Sequence, residues 1–342
     1  YDDHEFENTY VLGGCDKDGN PVFNELTRLF LKATENEKII FPKIKCRFSK
    51  NSPKEYLDLL DEPVINGTSV ILDANDDAII PARVRAGRSV EEARDYLVTG
   101  CWDIRDNGSG KYDGGSYVNL CKALEFSVHD LKERREKTGI DFKLIDGAES
   151  FEEVYGIICE NIYALIKERC RVTAKGGHIW NKVSPLPAFS STFGDCIENK
   201  KDYTAGGDRY HDDTIYWFGF PIVIDSLTAI KQLVFETKKY TLDEFLSAVR
   251  SNWENNEDMR TDAIHCNGFG DGSKASCELA SRLENDLFDM CGRLTGAYGG
   301  KVFMGHTCYT EVRLWGEKTL ATPDGRHNGD FLAQGLTPSR LK

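Results

Sequence analysis

The chain has 342 residues, enough for one large domain or two ordinary ones. Its 56 acidic and 43 basic side chains give a formal charge of −13, which argues against nucleic acid and against an anionic membrane surface as partners. No apolar run approaches the roughly 20 residues of a membrane helix, and the acidic start Tyr-Asp-Asp-His-Glu-Phe-Glu does not resemble a signal peptide. We therefore expect a cytoplasmic protein that acts on a small molecule.

Helix signals begin after an irregular start. We predict irregular structure over the first 23 residues and a helix that Asn24 caps and that runs to about Lys32. The apolar residues between positions 38 and 48 favour a strand over part of that segment. Pro53 suits the start of the next helix.

A strand, a polar loop and a helix are predicted next. Residues 69–73 have the short apolar pattern of a buried strand, and Asn75-Asp76-Asp77 then reads as a polar loop. Ser89 and Glu92 have the spacing of a capping box, which predicts a helix that Gly100 closes.

The rest of the chain continues the alternation of helices and strands. The predicted elements are a helix after the capping box Ser150/Glu153, a strand over 215–224 that Pro221 weakens, a helix capped by Asp225, a helix after the capping box Thr241/Glu244, a helix Ala275–Leu294 and a strand within 299–309. This order predicts an α/β fold with a parallel core.

The cysteines do not form a disulfide or zinc pattern. There are 11 cysteines, an odd number with scattered spacing and no C-x-x-C pair. Most are expected to be reduced packing residues in a cytosolic or anaerobic setting. The 7 histidines show no paired metal spacing, so no metal site is expected.

The most informative stretch is Asp-Tyr-Leu-Val-Thr-Gly-Cys-Trp-Asp at 95–103. Gly100 allows a sharp turn, so Cys101 is expected at the tip of a loop with Asp103 beside it. A thiol next to a carboxylate can move a hydrogen atom and a proton on neighbouring atoms of one small substrate. A lone cysteine, however, is more often a small buried apolar residue.

An ordered set of segments extends along the chain from about residue 10 to its end. The segments are Leu12-Gly13-Gly14, Asp16-Lys17-Asp18-Gly19, Asn24-Glu25-Leu26-Thr27, Asn51-Ser52-Pro53-Lys54-Glu55, Ile80-Pro81-Ala82, the run from Gly87 to Tyr96, Gly100-Cys101, the run from Asn119 to Glu125, Asp195-Cys196-Ile197-Glu198, Thr204-Ala205-Gly206-Gly207, the run from Asp225 to Lys231, and Thr322-Pro323-Asp324-Gly325-Arg326. With these segments the chain resembles the central part of glycyl radical enzymes, the group of pyruvate formate-lyase and the radical lyases.

The resemblance implies a fold and a catalytic pair. The fold would be part of a ten-stranded α/β barrel. Cys101 matches the family cysteine that becomes a thiyl radical and takes a hydrogen atom from the substrate. The lyase branch places a glutamate two residues later as general base, and here that position holds Asp103, which is one methylene shorter. Asp103 is alternatively a local cap or an ion-pair partner.

The resemblance also implies a reaction class. Cys101 would abstract a hydrogen atom next to a hydroxyl or amine, Asp103 would take the hydroxyl proton, and the radical would expel water, an amine or sulfite. The acyl-transfer enzymes of the family have a second cysteine where this chain has Trp102, which disfavours that chemistry. A radical decarboxylase, a formate acetyltransferase-like enzyme and an inactive member that only binds a metabolite or a partner remain alternatives.

Further substrate-binding candidates follow from the same resemblance. They are Trp102, Asp76, Asp77, Gly206 and Gly207. Each of these residues also has a purely structural explanation. Trp102 would otherwise be packing, the two aspartates a solvated turn, and the two glycines a structural turn.

Two segments that glycyl radical enzymes contain have no match in this sequence. Nothing after Arg326 matches the glycine motif that stores the radical, and the N-terminal half of the barrel has no counterpart. We therefore expect residues 1–342 to form a single partial barrel domain, inactive alone, from the middle of a longer enzyme. The expected cofactor is a glycyl radical outside this chain, installed by a radical S-adenosylmethionine activase. A homodimer is the expected assembly.

Overall fold

The structure is a computed structural model. It describes residues 10–38, 43–67, 71–100, 103–110, 116–307 and 311–338. The described residues fall into two compact units. The first holds the chain up to residue 110 together with 188–200 and 208–210, and the second holds most of the remainder.

The strands form two parallel sheets and one antiparallel hairpin. They are β1 (Tyr10–Gly13), β2 (Ile44–Phe48), β3 (Ile71–Asn75), β4 (Tyr96–Thr99), β5 (Asp103–Asp106), β6 (Ser116–Asn119), β7 (Asp213–Phe218) and β8 (Val302–His306). The order β1-β2-β3 makes the parallel sheet of the first unit and β6-β7-β8 that of the second, whereas β4 and β5 pair antiparallel. The predicted α/β class with a parallel core is thereby confirmed.

Helices connect the parallel strands, as parallel pairing requires. They are α1 (Glu25–Glu37), α2 (Lys54–Ile65), α3 (Asp76–Arg85), α4 (Val90–Arg94), α5 (Leu120–Val128), α6 (Lys132–Thr138), α7 (Phe151–Val183), α8 (Pro187–Ser190), α9 (Gly194–Asn199), α10 (Phe220–Ile230), α11 (Leu242–Arg250), α12 (Glu257–His265), α13 (Lys274–Gly292) and α14 (Glu311–Glu317). In the described part of the chain, none of them has the length and apolar content that crossing a bilayer requires.

The core of the first unit lies on one face of its sheet. Ile44 and Cys46 of β2 pack with Leu31 of α1 and Tyr56 of α2. Because side chains alternate along a strand, Lys45 and Arg47 belong to the opposite face. That face of β2 therefore carries charged side chains although Lys45 and Arg47 are buried.

The core of the second unit surrounds α10, in which every residue is buried. The long helix α7 contributes a buried stripe at three-to-four spacing that includes Val154, Ile158 and Ile162. Trp217 of β7 belongs to the same cluster. The helices therefore cover the Trp217 face of the second sheet.

Two predicted elements differ from the structure between residues 213 and 236. The strand prediction over 215–224 is wrong in its second half, because β7 ends at Phe218 and Pro221 lies in the first turn of α10. Proline is tolerated there because the first helical N–H groups need no intrahelical acceptor. Asp225 is not a cap: it is fully buried inside α10 and accepts a hydrogen bond from the Phe269 N–H at 2.6 Å.

Candidate active site

The hairpin β4–β5 carries the Gly-Cys segment singled out in the sequence. Tyr96 pairs with Asp106 and Thr99 with Asp103, so residues 100–102 connect the two strands. Gly100 has a φ of 50°, in the left-handed region that glycine adopts without strain. Cys101 and Trp102 lie outside the described residues.

The helix predicted to end at Gly100 is shorter than expected. The capping box of Ser89 and Glu92 is present, but α4 ends at Arg94 and the strand β4 leads into the loop. The prediction that a helix precedes the loop is therefore wrong, while the turn at Gly100 is confirmed.

Asp103 is the first residue of β5. Its backbone is held by the ladder, and its carbonyl accepts a hydrogen bond from the Thr99 hydroxyl at 3.4 Å. Its side chain is 33% exposed, and its Oδ1 lies 3.7 Å from a terminal nitrogen of Arg105. Arg105 follows two positions later, on the same face of the strand. The carboxylate thus has fixed backbone support, a cationic neighbour and access from outside the hairpin.

Asp76 holds the base of the same hairpin. It forms a two-pronged ion pair with Arg47, at 3.0 and 3.1 Å, and accepts a hydrogen bond from the Tyr96 hydroxyl at 2.5 Å. Arg47 also donates to the Tyr96 carbonyl at 3.3 Å, and its guanidinium lies 3.8 Å from the centre of the Tyr96 ring. Asp76 is buried, so the prediction of a solvated polar loop is wrong for this residue.

Burial and pairing act in opposite directions on Arg47. Burial lowers the pKa of its guanidinium, whereas the hydrogen bonds and charge of Asp76 raise it. The pKa ends above its ordinary value, so Arg47 is a permanent cation at the base of the hairpin.

Asp77 has a different role from Asp76. Its carboxylate accepts a hydrogen bond from the Lys50 N–H at 2.7 Å, and its own N–H is capped by the Asn75 side chain at 2.9 Å. The segment is thus the capped start of α3 and not a loop. The contacts of Asp77 tie α3 to the turn after β2, away from the Tyr96 contacts of Asp76.

Asp106 is the last residue of β5, and its side chain anchors the end of that strand. Its carboxylate binds Arg83 and, at 2.7 and 3.1 Å, Arg88. Burial raises the pKa of Asp106, but the hydrogen bonds and charges of the two arginines outweigh it and leave the pKa below its ordinary value. Both strands of the hairpin are therefore fixed at the base by buried ion pairs that sequence inspection did not reveal.

Gly206 and Gly207 lie in the second unit. Gly206 has a φ of 77° and a Cβ there would lie 2.8 Å from the Tyr298 ring. A Cβ on Gly207 would lie 2.1 Å from the Lys201 carbonyl oxygen. Local backbone geometry therefore accounts for glycine at both positions.

The second unit also has an aromatic surface that the sequence did not suggest. Tyr117 of β6 is 40% exposed, and its ring centre lies 5.9 Å from that of Tyr216 and 6.0 Å from that of Phe218. Gly305 of β8 makes room for Tyr216, because a Cβ there would lie 2.7 Å from that ring. Such a surface suits an apolar or cationic group. Strands of four to six residues give too short an alternation for it to be predicted.

Comparison with known proteins gives the family. The model of the pyruvate formate lyase-like family matches residues 3–312. Trans-4-hydroxy-L-proline dehydratase of Clostridioides difficile is 28% identical over 335 residues, which cover 96% of this chain and 42% of that enzyme. (2S)-3-sulfopropanediol dehydratase of Klebsiella oxytoca is 32% identical over 253 residues, which cover 73% of this chain and 30% of that enzyme.

A solved structure agrees with these relatives. The glycerol-bound B12-independent glycerol dehydratase of Clostridium butyricum superposes with a TM-score of 0.87 at 25% identity, over 96% of this chain and 42% of that one. The chain thus spans less than half the length of the relatives it matches. Because the family model covers most of the sequence, the chain belongs to the pyruvate formate lyase-like family of glycyl radical enzymes, in its lyase and dehydratase branch.

Proposed function

We propose that this chain carries the thiol and the base of a glycyl radical eliminase acting on a small hydroxylated molecule. The observation that carries the proposal is the anchored hairpin, in which three residues around Cys101 connect Thr99 to Asp103. Asp103 stands where the ladder fixes its backbone and leaves its carboxylate partly exposed. The dehydratases among the relatives support the same chemistry.

Cys101 and Asp103 divide the reaction between them. A glycyl radical, when present in the complete protein, supplies the oxidising equivalent that converts the Cys101 thiol to a thiyl radical. The Cys101 sulfur then removes a hydrogen atom from the carbon that bears the hydroxyl, and an S–H bond replaces the C–H bond. Asp103 accepts the hydroxyl proton, which turns the substrate radical into its anion.

Elimination follows from that anion. The C–O bond becomes a carbonyl as the C–X bond on the adjacent carbon breaks. X departs with the bonding electrons, as water or an amine once it has taken a proton, such as the one that Asp103 holds, or as sulfite. The remaining carbon radical takes the hydrogen atom back from the Cys101 thiol, so the thiyl radical is regenerated. Holding the two groups two residues apart on one loop makes both transfers intramolecular within the complex, which is a large part of the rate.

The partners and the setting of the complete protein are proposed from its membership of the family. We propose a radical S-adenosylmethionine activase that installs the radical, a homodimeric assembly and an anaerobic setting. The shorter Asp103 side chain requires a closer approach of the substrate hydroxyl, or one bridging water, than a glutamate would. The single-domain partial barrel of residues 1–342 also remains a prediction.

Activation of the complete protein tests the proposal. After anaerobic treatment with an activase, we expect a glycyl doublet in the electron paramagnetic resonance spectrum. We also expect product from at least one of trans-4-hydroxy-L-proline, 3-sulfopropanediol and glycerol, or from a related diol, amino alcohol or sulfonate. A doublet with no product from any diol, amine or sulfonate contradicts the eliminase and supports a binding role.

A further inference from the structure

A fully buried lysine lies beside the loop that carries Cys101. Lys45 is the second residue of β2, its side chain has no solvent exposure, and its ammonium donates a hydrogen bond to the carbonyl of Gly100. Gly100 directly precedes Cys101 in the sequence. Lysine is rarely buried completely, because removing an ammonium from water costs free energy that only polar contacts can offset.

A second side chain on the same face of β2 also donates a hydrogen bond to a main-chain carbonyl of the hairpin. Arg47, two residues further on, donates to the carbonyl of Tyr96. Arg47 therefore contacts the first residue of β4, whereas Lys45 contacts Gly100, directly after its last residue. One end of β4 is fixed by the buried pair of Arg47 with Asp76 and the other by Lys45.

We infer that Lys45 is a positioning residue that fixes the peptide before Cys101 and thereby the place from which the sulfur reaches the substrate. The inference deepens the proposed function and rests on it for its catalytic part. A hydrogen atom is transferred only at short range, and a misplacement of about 1 Å can cost ~10²-fold in rate. A charge-assisted hydrogen bond to the Gly100 carbonyl restrains that distance more strongly than a neutral contact.

The rest of the hairpin has its own anchors. Asp76 binds the Tyr96 hydroxyl, and Asp106 binds Arg83 and Arg88. Loss of the Lys45 ammonium therefore loosens the end of the hairpin that bears the loop while the base keeps its ion pairs. This separates a positioning role from a general role in folding.

Lys45→Met is the test variant, because methionine fills much of the same space and cannot donate. In the activated complete protein we expect a glycyl radical signal equal to that of the wild type, kcat lowered at least 10-fold and KM within about twofold. We also expect a larger deuterium isotope effect on kcat with substrate labelled at the abstracted position. Lys50→Met, at an exposed lysine on the turn after β2, is the matched control and should change none of these values.

Amide hydrogen exchange tests the anchor without any turnover. Peptides that cover residues 96–106 should exchange faster in Lys45→Met than in the wild type or in Lys50→Met, while peptides from α1 and α2 should not change. The glutamine side chain in Lys45→Gln is shorter than lysine and keeps a polar end. This variant should also exchange faster over residues 96–106, and it replaces Lys45→Met in the test if the methionine variant does not fold.

Unchanged exchange over residues 96–106, or an unchanged kcat in an active enzyme, overturns the inference and leaves the proposed function standing. A wild-type protein with no radical-dependent turnover, together with faster exchange in Lys45→Met, supports the anchor and contradicts the proposed function.

Discussion

Asp103 shows how a single residue can combine structural restraint with chemical access. Its main chain pairs with Thr99 in the hairpin, while its carboxylate is partly exposed and lies near Arg105. The ladder fixes where the side chain begins, so its length decides how far the carboxylate reaches. A general base contributes about 10²- to 10⁴-fold to a rate when it is within hydrogen-bond distance of the proton.

Changing Asp103 should affect turnover and leave radical formation unaltered. We expect Asp103→Asn to lower kcat at least ~10²-fold, because the amide cannot accept the hydroxyl proton. Asp103→Glu keeps a carboxylate and should retain a rate within about 10-fold of the wild type. Initial rates of the activated protein, normalised to the glycyl radical content, measure both effects. Equal rates for Asp103→Asn and the wild type would rule out the base.

Arg326 illustrates a residue whose importance is structural. Its buried guanidinium donates to the carbonyls of Gly316, Thr319, Leu320 and Asp330, at 2.7 to 3.1 Å. These are main-chain acceptors at the end of α14 and in the loop after it. Without Arg326 these carbonyls would lose a charged donor, although those of Gly316 and Thr319 also accept hydrogen bonds from the N–H groups of Thr319 and Gly329.

Arg326→Met should therefore destabilise the protein by about 3 kcal/mol, since a hydrogen bond to a charged group contributes roughly 1.5–3 kcal/mol and Arg326 donates several. Arg313→Met is the matched control, because Arg313 is exposed and its ion pair is with Glu317 four residues away, a contact worth at most about 0.5 kcal/mol. Urea denaturation of both variants measures the difference. Equal free energies of unfolding for the two variants would contradict the assigned role of Arg326.

Residue types were easier to predict than residue environments. Asp76 was expected in a solvated turn because its neighbours in the sequence are polar. Its actual partners, Arg47 and Tyr96, are 29 and 20 residues away. A single sequence contains no signal for such long-range pairs, and the same holds for Lys45 and Gly100.

At the level of elements, the helix starts with a capping signal followed local chemistry and were predicted well, whereas the start predicted at Asp225 was wrong. Asn24 caps α1 through its side chain, and the capping boxes of Ser89/Glu92 and Thr241/Glu244 both form. These signals act over three residues, so tertiary contacts rarely override them. Strand boundaries were predicted less well: β1 formed within the stretch expected to be irregular, since its pairing partner β2 lies more than 30 residues away.

The helix expected before Gly100 failed for a related reason. The run from Tyr96 to Thr99 continues an amphipathic pattern, but it pairs with Asp103–Asp106 across a three-residue connection. Short apolar runs fit a helix or a strand equally well by periodicity. Pairing with β5 decides the outcome, and the sequence did not reveal that pairing.

Glu92 gives α4 a predictable pH dependence. Its carboxylate accepts hydrogen bonds from the Ser89 N–H, from the Tyr210 hydroxyl and from Arg209. The hydrogen bond from the Ser89 backbone is the main reason that the pKa of Glu92 falls from 4.5 to about 2. A lowered pKa in the folded state means that the ionised carboxylate stabilises the fold above pH 4.5 and that this contribution is lost as the pH falls toward 2.

We therefore expect Glu92→Gln to be less stable than the wild type at pH 7. The difference in free energy of unfolding between the two should shrink steadily as the pH is lowered below 4.5. Urea denaturation at a series of pH values from 7 to 3 checks this. Glu244→Gln, in the second capping box, should show the same trend, because the pKa of Glu244 is also lowered by its backbone hydrogen bond to Thr241. A difference that does not depend on pH would mean that Glu92 is not held as an anion.

The base of the hairpin should depend on its buried ion pair. Asp76→Asn leaves the Arg47 guanidinium buried without its counter-charge, which typically costs about 3–5 kcal/mol. Glu55→Gln breaks the exposed pair with Arg28 and should cost much less, because solvent screens exposed charges. Thermal unfolding of the two variants measures the contrast. A cost for Asp76→Asn no larger than that for Glu55→Gln would show that this pair does not hold the hairpin.

At the scale of the whole molecule, the family could be predicted from the sequence and the substrate could not. Ordered segments from Leu12 to Arg326 identified the family, and the family match over residues 3–312 confirms it. Substrate selection depends on side chains that converge from distant segments, and the chain covers 42% of a related dehydratase. The relatives named here act on different small molecules, so fold and family restrict the chemistry without fixing the substrate.

The central claim is that the sulfur of Cys101 transfers the substrate hydrogen atom. The most direct measurement compares wild type and Cys101→Ser in the complete protein after anaerobic activation, recording the glycyl signal and product formation in the same sample. The account predicts equal glycyl signals and no detectable product from Cys101→Ser. Product from Cys101→Ser at a rate near that of the wild type would contradict it.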